Sequence, residues 1–121
     1  MAVSAIQDVR TRSLARPSVA ELIERARKIG VVAREKALET EQRRHVSAEL
    51  IGMMRDAELF RLMQPERFGG FEYGYDVFVE LVAAIGAGDG STGWVYSLGA
   101  VHPWLIACYT CLLYTSPSPR D

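Results

Sequence analysis

The sequence of 121 residues is poor in cysteine, in charge of one sign and in long apolar runs. Its two cysteines cannot form a disulfide framework, so a reducing compartment, the cytoplasm, is expected. The formal net charge of −1 gives no basic excess for binding nucleic acid. No apolar run reaches the roughly 18 residues that a membrane-spanning helix needs. We therefore expect a cytoplasmic protein that binds neither nucleic acid nor membrane.

Several motifs that carry chemistry are also missing. There is no GxGxxG and no GK[ST] phosphate loop, and Phe68-Gly69-Gly70 is interpreted as a tight turn. No set of histidine, cysteine and acidic residues has metal-ligand spacing, and no Ser–His–acid arrangement can be identified, so no metal is expected. Cys108 and Cys111 have the spacing of a thiol redox motif, but the βαβ pattern that usually accompanies it is absent.

Helical spacing dominates what is present. Ser18 and Glu21 form the pattern of a capping box, and apolar residues recur after it at intervals of three and four. This predicts an amphipathic helix that ends near Arg43 or Arg44, whose charge suits a helix C-terminus. Ser47 then predicts the cap of a second, shorter helix.

Two further helices are predicted after a structured loop over residues 60–75, which is rich in glycine and aromatic residues. Asp76 is the expected cap of the third, which stops at Gly86. The fourth begins after Asp89, and Pro103 should kink or restart it. With no strand alternation, the fold class is all-α with four main helices. The fourth is apolar nearly all round, so it should be central or packed against material outside this chain.

Trp94 and His102 are the most suggestive pair of side chains. Eight residues on a helix are slightly more than two turns, so both can face one side and line a pocket for an aromatic ligand. A histidine there can take a proton from a phenol or hydrogen-bond a phenolate. The alternative is a core histidine bonded to a carbonyl and a tryptophan that supplies bulk. His45 is interpreted as a surface residue, and Asp89 either caps its helix or opens an anion site.

These residues resemble a known family. The stretch RDAELFRLMQPERFGGFEYGYDVFVELVAAIGAGDGSTGWVYSLGAVHPWL is similar to the N-terminal helical domain of the acyl-CoA dehydrogenase-like flavin-dependent monooxygenases. These are the oxygenase components of two-component aromatic hydroxylases. PERFGG is shared with the wider superfamily, whereas GSTGW followed by VHPWL is more specific to the monooxygenase branch. The resemblance covers roughly residues 18–109.

The resemblance implies a reaction and two site residues. A separate reductase would supply reduced flavin, FMNH2 or FADH2, which reacts with O2 to form a C4a-hydroperoxide that hydroxylates a phenol ortho to its hydroxyl. Trp94 would lie at the pocket shared by flavin and substrate, binding both. His102 would be the catalytic residue that contacts the substrate hydroxyl and favours its phenolate form. The family also implies a homotetramer for the full-length protein.

Family members are several times longer, with a β-barrel-like middle domain and a C-terminal helical bundle. The chain is therefore interpreted as a fragment that is inactive alone. Two alternatives stay open, a truncated acyl-CoA dehydrogenase and a helical interaction module without catalysis. The interaction module is favoured if the chain folds as a soluble monomer without exposed apolar surface.

Three segments are expected along the chain. Residues 1–17 form a flexible arm, although their arginines and single acid also allow a mitochondrial presequence. Residues 18–110 form the helical domain. Residues 111–121, CLLYTSPSPRD, match the translation of a transposase adapter used in preparing sequencing libraries, and are expected to be non-native. On that interpretation Cys108 and Cys111 are not a motif.

Overall fold

The structure, a computed structural model, describes residues 16–115, with side chains described through residue 109. Five α-helices follow one another: α1 (Val19–Glu35), α2 (Ala37–Arg43), α3 (Ala48–Asp56), α4 (Tyr75–Gly86) and α5 (Gly90–Thr115). Two short 3-10 turns, Leu59–Arg61 and Glu66–Phe68, lie in the loop between α3 and α4. The described residues contain no strand, so the predicted all-α fold is confirmed. Most of the predicted arm and of the tail lies outside the described residues, although the backbone of 111–115 continues α5.

Both predicted serine caps form. The Ser18 hydroxyl oxygen accepts a hydrogen bond from the Glu21 N–H at 3.2 Å, and Ser47 does the same for Leu50 at 3.3 Å. Each bond satisfies a backbone donor that has no partner inside its helix. The first predicted helix is interrupted at Lys36, so residues 16–115 contain five helices where four were predicted.

The predicted cap of α4 is wrong by two residues. Gly74 is the N-cap, and Asp76 lies in the first turn. A carboxylate is favourable at either position, because it faces the partial positive charge of a helix N-terminus. In the structure an Asp76 carboxylate oxygen lies 2.8 Å from where a Cβ at position 74 would be, a contact that rotation of the Asp76 side chain would relieve.

The core lies where α4 packs between α1 and α5. Its buried members share an apolar side chain and come from every helix except α2, together with the loop before α4: Leu22, Ala26, Ile29, Ala33, Leu50, Met54, Leu59, Leu62, Met63, Phe71, Val77, Phe78, Leu81, Ile85, Tyr96 and Ala100. Gly30 and Gly88 allow the backbones of α1 and the end of α4 to approach closely. The apolar pattern of the sequence does not reveal this close contact between the two backbones.

Helix α5 runs through Pro103 without a restart. Proline lacks the N–H that the carbonyl of Gly99 would otherwise accept, so this turn has one hydrogen bond fewer. Gly99 lies against the Phe60 ring, whose Cε1 atom is 2.6 Å from where a Cβ at position 99 would be. The helix is therefore held at this turn by packing against the loop.

Tyr96 provides a stability prediction. Its side chain is fully buried, and its hydroxyl donates to the Leu59 carbonyl at 3.1 Å. Tyr96→Phe should lower the unfolding free energy by about 1 kcal/mol, because the buried Leu59 carbonyl loses the tyrosine donor and keeps only the Leu62 N–H, which lies 3.3 Å away. Burial raises the pKa of Tyr96, so its hydroxyl stays protonated in the fold at pH values where it ionises in the unfolded chain. The wild type should therefore lose stability above about pH 10, more steeply than the variant.

Urea unfolding followed by circular dichroism, at neutral and alkaline pH, measures both effects. Tyr75→Phe is the matched control, because the Tyr75 side chain is 59% exposed. Equal stability of Tyr96→Phe and Tyr75→Phe at neutral pH would contradict the role given to the buried hydroxyl.

Candidate functional site

Helix α5 presents two different faces. Its inner face is buried and carries small residues around Tyr96, namely Thr92, Gly93 and Ala100. Its outer face exposes large apolar side chains: Trp94, Leu98, Trp104, Ile106 and Tyr109. Several large apolar side chains exposed on one helix favour a binding or interaction surface. This outer face agrees with the prediction that the helix is central or packs against material outside the chain. An interaction module that folds alone was expected to have no exposed apolar surface, and this helix exposes such surface.

The N-terminus of α5 is capped by its own chain. An Asp89 carboxylate oxygen accepts from the Thr92 N–H at 2.9 Å and from the Thr92 hydroxyl at 2.6 Å. Thr92 itself is completely buried. A negative charge already occupies the position that an anion would take. Of the two interpretations of Asp89, the cap is therefore the one that the structure supports.

Trp94 lines an open cleft of about 540 Å³. One wall is the first turn of α5, where Gly90, Ser91 and Val95 accompany it. The other wall is the junction between α2 and α3: Thr40, Glu41, Arg44, His45 and Val46. The Trp94 side chain is 66% exposed, so its indole is accessible to a planar ligand. An aromatic face next to aliphatic side chains suits an aromatic ring.

His102 is exposed on the same helix but does not line this cleft. Helix geometry puts it about 12 Å from Trp94 along the axis and roughly 80° around it. The core-histidine interpretation is therefore wrong for the described domain, because the imidazole is on the outside. The two residues lie along one side of α5, with Leu98 between them. Trp94 and His102 therefore belong to one open surface of α5, and the two residues do not enclose a pocket.

His45 has a position that the sequence pattern does not predict. It is exposed, as predicted, and its Nδ1 lies 3.2 Å from the Val46 carbonyl oxygen. It nevertheless lines the same cleft as Trp94, 49 positions further along the chain. No local pattern connects residues so far apart. Only the packing of the α2–α3 junction beside α5 brings them together.

Among the residues described, no three His, Cys, Asp or Glu side chains are grouped so that they could hold a metal ion. Within the same part of the chain, no helix combines the length and apolar character needed to cross a membrane. Cys108 is a free, exposed thiol, and the side chain of Cys111 lies outside the described residues.

Comparison with known proteins gives a consistent set of relatives. A family profile described as acyl-CoA dehydrogenase, N-terminal domain, matches residues 14–118. The chain is 38% identical over 77 residues to "Flavin-dependent monooxygenase, oxygenase subunit HsaA" of Rhodococcus jostii, covering 64% of this chain and 20% of that protein. It is 36% identical over 78 residues to the "Indole-3-acetate monooxygenase" of Pseudomonas putida, again 64% of this chain and 20% of the relative.

A third relative is the "FADH(2)-dependent resorcinol hydroxylase, oxygenase component" of a Rhizobium species. It is 33% identical over 88 residues, which are 73% of this chain and 22% of the relative. The chain thus spans about a fifth of the length of the curated relatives it matches. No solved structure matches it.

Proposed function

The chain belongs to the family of acyl-CoA dehydrogenase N-terminal domains, and from that premise we propose that the full-length protein is the oxygenase component of a two-component flavin-dependent monooxygenase. The relatives' names support the class of reaction, because they describe flavin-dependent monooxygenases and an oxygenase component. The observation that carries the proposal is the outer face of α5. It holds Trp94 and His102 on the solvent side, where they can line a pocket closed by other parts of the full-length protein.

Trp94 and its neighbours fit one face of a planar ring system. Its exposed indole and the aliphatic side chains of Val46 and Val95 offer stacking and apolar contact. When bound, reduced flavin supplies the two electrons that activate O2. Trp94 would orient the rings of flavin and substrate and help to exclude water. We propose both FMNH2 and FADH2 as candidates, delivered by a separate reductase.

His102 is proposed as the catalytic residue. Its imidazole would accept a hydrogen bond or a proton from the hydroxyl of a phenolic substrate. The phenolate that results has a more nucleophilic ring carbon ortho to its oxygen. One oxygen atom of O2 enters the ring at that carbon, and the other leaves as water while the flavin is oxidised. The product of this reaction is a catechol.

The 121-residue chain alone is proposed to be inactive. The support for this is the open outer face of α5, because a wall without its opposite side cannot exclude water from the reaction. In the full-length protein, which we propose to be a cytoplasmic homotetramer, the remaining parts of the chain would cover this face.

The deciding experiment uses the full-length protein. Purified oxygenase is mixed with NADH, a flavin reductase and a panel of phenols under ¹⁸O2, and the products are analysed by mass spectrometry. We expect a catechol that carries one ¹⁸O atom. Reduction of an electron acceptor that depends on an acyl-CoA would instead establish the alternative, an acyl-CoA dehydrogenase.

Trp94 gives a binding prediction. Trp94→Leu in the full-length protein should weaken binding of reduced flavin or substrate about tenfold, because an aromatic stacking partner is lost. Fold stability should change little, since the side chain is 66% exposed. Anaerobic titration with FMNH2, FADH2 and the phenol measures the affinities. Phe68→Leu, at an exposed aromatic residue outside both the outer face of α5 and the Trp94 cleft, is the control, and an equal loss in both variants would contradict the site.

A further inference from the structure

A second cleft, of about 610 Å³, lies between the start of α1 and the loop that follows α3. Three arginines from separate parts of the sequence line it, Arg16, Arg25 and Arg61, together with Glu21 and Glu58. It shares no lining residue with the cleft of Trp94. We propose that this arginine cleft binds the phosphate group of a small molecule.

Two of the guanidinium groups are fixed by the fold. Arg25 donates to the Ala57 carbonyl at 3.0 Å and pairs with Glu21 at 2.7 Å. Arg61 donates through Nε to the Gly69 carbonyl at 2.8 Å and pairs with Glu58. Their side chains are 29% and 26% exposed, respectively. Holding these groups in place beforehand reduces the entropy lost when a ligand binds.

Arg16 leaves the cleft with an excess of positive charge. Its Nη1 donates to the Phe71 carbonyl at 3.0 Å, and its guanidinium lies over the Tyr73 ring, 4.3 Å from the centroid. Neither partner is charged, and no carboxylate among the described residues is paired with it. Among the described residues that line the cleft, three positive side chains face two negative ones, which leaves one positive charge to attract an anion.

Hydrogen-bonding capacity favours phosphate over a simpler anion. A guanidinium has five N–H donors, and the bonds named above use only some of those on each arginine. Donors from three arginines that line one cleft can match the tetrahedral oxygens of phosphate better than the two oxygens of a planar carboxylate. Glu21 and Glu58 are each neutralised by a neighbouring arginine, so they oppose an anion less than free carboxylates would.

The test is a titration of the 121-residue chain followed by NMR of the arginine Nε–Hε groups. Inorganic phosphate and acetate are added separately at constant ionic strength, maintained with chloride. We expect saturable shifts for Arg16, Arg25 and Arg61 with phosphate, and weaker binding of acetate. Adenosine 5′-monophosphate forms a third arm, and tighter binding than that of inorganic phosphate would identify the source as a phosphomonoester.

The variants separate this site from general attraction to a charged surface. Arg16→Gln should weaken phosphate binding about tenfold, and Arg16→Lys should weaken it less, because it keeps the charge but loses the planar fork. Arg27→Gln, on the exposed side of α1, is the matched control and should bind as the wild type does. Shifts that do not saturate, equal affinity in Arg16→Gln and Arg27→Gln, or acetate bound as tightly as phosphate would overturn the proposal. Amide spectra show whether each variant is folded. If Arg16→Gln is unfolded, Arg16→Lys is compared with Arg27→Gln in its place.

Discussion

Replacing Gly88 with alanine is expected to destabilise this domain by at least about 3 kcal/mol, a large part of the stability of a domain of this size. A Cβ at position 88 would lie 1.9 Å from the Gly30 carbonyl oxygen and 2.6 Å from its carbonyl carbon. Both atoms belong to the backbone of α1, so no side-chain rotation relieves the collision. The helix α1 must move away from the end of α4, and that movement opens the core.

The backbone conformation of Gly88 does not itself require a glycine. Among the described glycines only Gly69 has a positive φ, so alanine is compatible with the local backbone at position 88. Gly86→Ala is the matched control, because a Cβ there meets no atom within 4 Å. It should leave stability unchanged or raise it by up to about 1 kcal/mol, since alanine favours the helix. Urea unfolding of both variants and the wild type measures the difference, and a Gly88→Ala variant as stable as Gly86→Ala would refute the close approach.

Replacing His102 with glutamine in the full-length protein is expected to lower the rate of phenol hydroxylation by about 10² to 10⁴-fold, the usual contribution of a positioned acid–base group. The expectation rests on the proposed function. Glutamine keeps a polar side chain of similar length but cannot take the phenolic proton. The imidazole is exposed on the outer face of α5, so its replacement should leave the fold stable.

Three measurements separate catalysis by His102 from a structural role. Stopped-flow kinetics give the hydroxylation rate of each variant. Substrates with a more acidic phenol should recover part of the activity, because they are already phenolates at neutral pH. His45→Gln is the comparison variant, since His45 lines the Trp94 cleft from the α2–α3 junction. A large loss for His45→Gln and none for His102→Gln would reverse the assignment.

The sequence predicted the helices well wherever their signals are local. Ser18 and Ser47 cap through a side-chain oxygen and an N–H three residues later, a contact that depends only on neighbouring residues. The misplaced cap at Asp76 has the same local origin, because aspartate is favourable both at the cap and in the first turn. The family resemblance is confirmed by the acyl-CoA dehydrogenase N-terminal profile over residues 14–118 together with the relatives named as oxygenase subunits and components.

Other features became visible only in the tertiary structure. Gly30 and Gly88 are 58 positions apart, and their meeting depends on how α1 packs against α4. His45 reaches the Trp94 cleft, and three arginines converge on the second cleft, for the same reason. Periodicity and capping act over three or four residues and therefore determined the helices and their apolar faces from the sequence alone. Which distant side chains share a cleft was decided by the packing of those helices, because close packing fixes their relative positions and no local interaction encodes them.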